Sequence, residues 1–371
     1  MQGAILPSGI LASTEAQANY RRIWARDSLI CGLAGVVVGD ERLVDAMGAS
    51  LRSLASQVGR WGLVPSNVSA EGSGPPSYGG LAGRVDAGAW FVVGACHYLQ
   101  LRPDDESRAT FTETIENCLR LYQCWELNDR GLVNVPMGGC WADEYPVHGY
   151  TLTEQCLRVW ALRLAAATLE RPAYAQEAQK IQAIVESSFW IDEAIEGSTS
   201  YHPRAFTRAQ ALGSKPYWMA ALSPGGYQMC FDALGNSLAV LLGFGTETIR
   251  NRVLDYGEGL AKEQARSLVP AFWPPIVEGD SHWEALQALC AHGFRNEPGE
   301  YHNGGLWPMV NGFWGAALVQ AGRRAQAAAL LKAIVEANQA RGEERTSQFY
   351  EFHSSRTGRP GGTPKCTWSA A

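Results

Sequence analysis

Residues 86–126, DAGAWFVVGACHYLQLRPDDESRATFTETIENCLRLYQCWE, read as two helices with almost nothing between them. Apolar side chains follow helical spacing through 86–101 and again through 105–126, and the short polar link at Pro103 leaves room only for a tight reversal. The same unit recurs on both sides. Candidate helices lie at 27–38, 42–57, 151–169, 172–190, 230–243, 246–263, 281–293, 310–321 and 323–340, and a twelfth begins near Thr367. Thr151 with Glu154 fits a capping box, Pro172 suits a first helical position, and Gly322 sits where a helix stop belongs.

Between the pairs run long segments rich in Gly, Pro and aromatic residues: 59–85, 128–150, 191–229, 264–280, 295–309 and 341–366. Connections of that length are usually functional in a compact fold. Six helical hairpins with their long loops at one end predict an all-α (α/α)6 barrel, a toroid of helix pairs with the active face on the loops. No low-complexity linker interrupts the pattern, so residues 1–371 read as a single catalytic domain.

The composition narrows the function. Hydrophobic residues make up 46% and charged residues 18% of the 371, a normal balance for a globular protein with a sizeable core. A net charge of -6 and the lack of any Lys/Arg run argue against nucleic acid or an anionic membrane as partner. The apolar run from Leu29 to Val38 is about half a bilayer span. MQGAILPSG has no basic region ahead of an apolar one, so a cytoplasmic protein is expected, and the Asn67-Val68-Ser69 sequon is discounted. The nine cysteines include no CxxC pair, and Cys96, Cys118 and Cys156 fall within helical apolar patterns, which predicts reduced, buried thiols. The seven histidines include no HExxH, so no metal and no cofactor are expected.

The loops hold the chemistry. YRRIWARD (20–27), GRVDAGAW (83–90), GCWADEYPVHGY (139–150), YHNGGLWP (301–308) and FYEFH (349–353) place aromatic rings beside carboxylates, amides, Arg and His. Thirteen Trp and thirteen Tyr could simply fill a large core. Their repeated adjacency to polar groups in loops suits a sugar, whose ring faces are apolar and whose edges carry hydroxyls. Cleaving a glycosidic bond takes two carboxyl groups across the scissile bond. Asp86 stands at a loop-to-helix boundary, where Asp also serves as a helix cap. Glu351 lies between Tyr350 and Phe352, where burial would shift its pKa. Asp27 beside Arg26 is either a salt-bridged structural residue or a ligand for sugar hydroxyls, and of the adjacent Asp143–Glu144 pair one could be catalytic and the other structural. No GxSxG elbow and no P-loop lysine are present, and the glycines of YGGLAGR (78–84) read as close-approach positions.

Together these clusters resemble the neutral/alkaline invertases. NYRRIWARD, GRVDAGAWFVV, HGYTLTEQCLRVWALR, FDALGNSLAVLLG, YHNGGLWP and KCTWSAA follow that family's motifs in order from Asn19 to the last residues. The resemblance implies a cytoplasmic sucrose hydrolase on an (α/α)6 barrel, assembling as a homo-oligomer. It carries the catalytic acid onto Asp86, the base onto Glu351, and the start of a final helix onto KCTWSAA. The family has I-D-R-R-M-G where this chain has Trp141-Ala142-Asp143-Glu144-Tyr145-Pro146, so the substrate is open. WARD and YHNGGLWP are also similar to proteins like the amylo-1,6-glucosidase part of glycogen debranching enzymes.

The expectation is an exo-acting, inverting hydrolase of a small carbohydrate. Asp86 protonates the leaving oxygen and Glu351 activates water. Trp24, Arg26, Asp27, Trp141, Asp143, Glu144, His302, Asn303 and Trp307 hold or wall the sugar. A sugar epimerase using His302 and His353, or a sugar-binding protein without turnover, are the alternatives on the same barrel.

Overall fold

A computed structural model describes residues 2–15, 19–192, 195, 197–291, 293–339 and 348–371. Most of the α-helices among them form a ring of hairpins. The inner helices are α1 (Ala25–Val38), α3 (Asp86–Leu101), α5 (Leu152–Thr168), α8 (Ala233–Leu241) and α11 (Pro308–Gln320). Their outer partners are α2 (Glu41–Ala55), α4 (Asp105–Cys124), α6 (Pro172–Phe189), α9 (Glu247–Glu263) and α12 (Arg324–Asn338). Each inner helix packs on the next, from α1 through α3, α5 and α8 to α11. A 3-10 turn at Thr367–Ser369 packs on both α11 and α1 and closes the circle. The expected (α/α)6 barrel is therefore the observed fold, with the turn standing where the twelfth helix was expected.

The two layers follow from burial. In α3 every residue from Asp86 to Cys96 is buried, as befits a helix surrounded by others. In α4 the buried side chains Phe111, Ile115, Cys118, Leu119 and Tyr122 recur at helical spacing on one face, the pattern of a helix with solvent behind it. Asp104 caps α4 by accepting the Ser107 N–H at 2.7 Å, and Gly322 follows α11 with φ 77°. Thr151 is the N-cap of α5, but its hydroxyl donates to the Glu154 carboxylate and caps no backbone N–H, so the capping box is not formed.

Other expectations change. The helix expected over 281–293 shrinks to α10 (Trp283–Ala288), and residue 292 lies outside the described residues. The 191–229 segment holds a short helix, α7 (Pro203–Ala211), and most of an antiparallel hairpin, Met219–Ser223 with Gly226–Asp232. That hairpin sits in a four-stranded sheet flanked by Tyr150–Thr151 and Phe272–Trp273. Residues 340–347 of the expected last loop lie outside the described residues. Cys96, Cys118 and Cys156 are buried, while Cys124 is exposed. Among the described residues no helix is long and apolar enough to cross a membrane.

Inner and outer helices touch closely at Gly48 in α2, where a Cβ would overlap the Tyr98 ring of α3. Gly48→Ala should destabilise the fold by about 1–3 kcal/mol, read as a lowered midpoint in urea unfolding.

Candidate active site

The loops ahead of the inner helices meet over the helix N-termini and enclose a cavity of about 210 Å³. Such a space is smaller than the ~300–1,000 Å³ of drug-sized sites and suits one sugar unit with its neighbour at the mouth. Trp24, Arg26, Asp27, Trp141, Asp143, Glu144, His302, Trp307 and Glu351 all line it. Asp86 and Asn303 do not.

Asp86 is the first residue of α3; Val85 holds the N-cap position, so Asp86 is not the cap either. Its carboxylate is buried behind the wall and takes the Arg26 guanidinium at 2.6 Å. The expected acid thus holds Arg26, whose guanidinium also lies over the Trp368 ring at 5.3 Å, and does not itself line the cavity. The reason is geometric: the first turn of α1 puts Arg26 between α3 and the cavity. Asn303 spends its amide on the backbone, accepting from the Ile276 N–H at 2.7 Å and donating to the Ile276 and Asn296 carbonyls. It holds the 301–308 loop, with both amide hydrogens engaged by backbone carbonyls.

Asp143 takes Asp86's place on the wall. Arg84 reaches from the turn before α3 to its Oδ2 at 2.7 Å and donates another hydrogen bond to the Gly138 carbonyl, which fixes the 138–144 loop. Glu144 points the other way and pairs with Arg295 at 3.0 Å. Arg295 lies over the Tyr301 ring at 4.0 Å and donates to its hydroxyl at 3.0 Å. Trp141 is wedged between aromatic neighbours: Phe272 stacks at 5.9 Å, and His302 and Trp307 meet it edge-on at 5.4 and 5.6 Å.

Glu351 stands on the segment after α12. Its Oε1 accepts the Tyr20 hydroxyl at 2.9 Å and its Oε2 accepts the Thr363 N–H at 3.3 Å. Burial pushes its pKa up to about 7, against the pull of those donors and of Arg295. Asp27, in the first turn of α1, is raised to about 6 for the same reason. His302 is held neutral, its pKa far below normal through burial and the surrounding Arg295, Arg26 and Arg84. His353 is buried away from the cavity with Nε2 at 3.1 Å from the Ala337 carbonyl, so the histidine pair an epimerase would need is not assembled.

Five buried polar atoms without a partner among the described residues belong to cavity residues: Nε of Arg26 and Arg84, Nε1 of Trp141 and Trp368, and Nδ1 of His302. Buried polar groups are normally satisfied, so these atoms mark donors and acceptors that the cavity residues leave open. Sequence reasoning passed over Tyr20, Arg84, Arg295, Tyr301 and Trp368 as site residues. Tyr20 and Tyr301 lay inside quoted motifs; for Arg295 no local signal existed.

A ring of helical hairpins around an aromatic, sugar-sized pocket walled by Asp27, Asp143, Glu144 and Glu351 is the architecture of a glycoside hydrolase of the (α/α)6-barrel type. Within that class the chain is invertase-like: residues 210–370 match the sequence model of the family described as alkaline and neutral invertase. A probable alkaline/neutral invertase D of Arabidopsis thaliana is 24% identical over 376 residues, spanning 85% of this chain and 68% of that protein. The crystal structure of a GH63 mannosylglycerate hydrolase from Thermus thermophilus is similar with a TM-score of 0.69 at 16% identity, covering 100% of this chain and 96% of that one. A rhamnosidase from Klebsiella oxytoca with rhamnose bound gives 0.61 at 16%, covering 94% of this chain and 56% of that one.

Gly362 lies against Glu351 with φ 75°, and a Cβ there would overlap the Oε2 atom. Gly362→Ala should displace the carboxylate and lower glycosidase kcat by roughly 10²-fold, measured on protein whose circular dichroism matches the wild type.

Proposed function

We propose that the chain hydrolyses a terminal glycosidic bond with inversion, using Asp143 as general acid and Glu351 as general base. The observation that carries this is their shared position on the walls of one small cavity, while Asp86 stands behind Arg26. Glu351 receives two hydrogen bonds, from Tyr20 and the Thr363 N–H, both of a kind that favours a carboxylate over an acid. That suits it to take a proton from water. Asp143 has Oδ2 on Arg84, so the proton it gives to the leaving oxygen as the bond breaks is carried on Oδ1, taken up from solvent before the substrate enters. In this reading water held by Glu351 and the bond met by Asp143 lie on different sides of the sugar ring. Inversion needs the carboxyls roughly 6.5–9.5 Å apart to admit that water.

Asp27, Arg26 and His302 meet the hydroxyls of the bound sugar, and Trp24, Trp141, Trp307 and Trp368 wall it. The cavity's size favours removal of one end unit over cleavage within a chain. Sucrose is the first substrate to try, on the strength of the invertase family match over residues 210–370. A small α-glucoside or an α-1,6 branch stub follows. Incubation with sucrose, isomaltose, panose and trehalose identifies the bond by the sugars released; binding of all four without release would leave a sugar-binding protein.

Asp143→Asn and Glu351→Gln should each lower kcat by about 10²–10⁴-fold. Asp86→Asn should raise KM more than it lowers kcat, because it loosens Arg26 and touches no reacting atom. Full activity in Asp143→Asn beside a dead Asp86→Asn would return the acid to Asp86.

The base must be ionised to act, and burial raises the Glu351 pKa to about 7. Activity should therefore be lost as pH falls through about 7, read as an acid limb in kcat/KM against pH. A profile flat from pH 5 to 8 would remove Glu351 from that role.

A further inference from the structure

We infer that the Glu144–Arg295 pair is the leaving-group gate of this pocket and restricts the substrate to uncharged glycosides. The inference rests on the reading of the cavity as a glycosidase site. Among the described residues three arginines line the cavity, and each has a carboxylate of its own: Arg26 holds Asp86 at 2.6 Å, Arg84 holds Asp143 at 2.7 Å, and Arg295 holds Glu144 at 3.0 Å. Asp27 and Glu351 add two more carboxyl groups to the same walls with no arginine of their own. A carboxylate or phosphate on the ligand would thus enter a pocket whose cations are all engaged and whose surplus charge is negative. Like charges placed together without solvent are strongly disfavoured.

The three pairs are not equivalent. The Arg26 and Arg84 side chains are 9% and 10% exposed, whereas Arg295 is 33% exposed. Arg295 is the most exposed of the three side chains, so in this inference it is the cation that the departing half of the substrate meets first. Tyr301 supports it from below, through the ring at 4.0 Å and the hydroxyl at 3.0 Å. Glu144 is 7% exposed and is the neighbour of Asp143 in the chain, so the pair is tied to the loop that carries the acid. A neutral polyol can accept hydrogen bonds from the exposed edge of Arg295 while Glu144 keeps its charge balanced. An anionic leaving group would have to compete with Glu144 for that guanidinium.

Glu144→Gln removes this competition and preserves side-chain shape; the Asn296 bond to Glu144 goes to the backbone carbonyl at 2.8 Å and is retained. The test uses α-glucosylglycerol and α-glucosylglycerate, which differ only in a hydroxymethyl against a carboxylate. Their dissociation constants are measured on the full chain by ligand-observed NMR, over times short against any turnover. The wild type should bind the neutral glycoside at least about tenfold more tightly. Glu144→Gln should bring the two to within about threefold, and Arg295→Met, which leaves Glu144 unpaired, should widen the gap. Thermal melts of both variants verify that they are folded. Equal or tighter binding of the glycerate by the wild type overturns the inference, as does a ratio that neither variant moves. Binding of neither glycoside also overturns it, yet leaves hydrolysis of the other sugars by Asp143 and Glu351 standing.

Discussion

Glu351 reaches the pocket because the segments near Ser13 and Cys366 are stitched together. The Thr367 N–H and hydroxyl donate to the Ala12 and Leu11 carbonyls at 2.9 and 2.8 Å, and the Ser13 hydroxyl donates to the Pro364 carbonyl at 2.9 Å. Lys365 pairs with Glu15 at 2.7 Å, and Asn338 at the end of α12 donates to the Ser369 carbonyl at 2.7 Å. This seam sets the 3-10 turn between α11 and α1 and brings Tyr20 within hydrogen-bond reach of Glu351, 331 positions away in sequence. Residues so distant in sequence meet only through the closed ring, so the site exists only once the ring has closed.

The ring also creates the site's electrostatics. Four inner helices carry a buried carboxyl group in or just before the first turn: Asp27, Asp86, Glu154 and Asp232. Helix N-termini favour negative charge, and burial opposes it. Burial prevails at Asp27 and Asp232, both raised to about 6, and at Glu154, raised to about 8. Of the four, only Asp27 looks into the cavity; the others form a layer beneath it, where Asp86 fixes Arg26 and Asp232 accepts the Thr153 hydroxyl at 2.7 Å. The pocket is thus a thin polar lining on a deeper polar layer, and packing decides which carboxyl groups reach the substrate.

That division explains what the sequence could tell. The hairpins are legible because α3 and α4 differ in how many faces they bury, and periodicity reports faces directly. Met219–Ser223 and Gly226–Asp232 are harder, being few residues inside a long irregular segment, although Pro224-Gly225 marks their turn. Glu351 stands out in sequence by its aromatic neighbours. Asp86 and Asp143 are both acids near helix starts or loop aromatics, and what separates them is the position of Arg26 and Arg84, which no local pattern records. Asn303 misleads for a similar reason: in YHNGGLWP it has the chemistry of a sugar ligand, but Ile276, reached only through the fold, claims its amide.

In the proposed reaction Asp143 and Glu351 act from opposite sides of one sugar, with water between Glu351 and the anomeric carbon. The configuration of the sugar at the moment of release tests this most directly. Proton NMR of the anomeric signal in the first minutes of hydrolysis, before mutarotation, should show the anomer opposite to that of the substrate. Release of the same anomer would mean a covalent intermediate and would contradict this arrangement of acid, water and base.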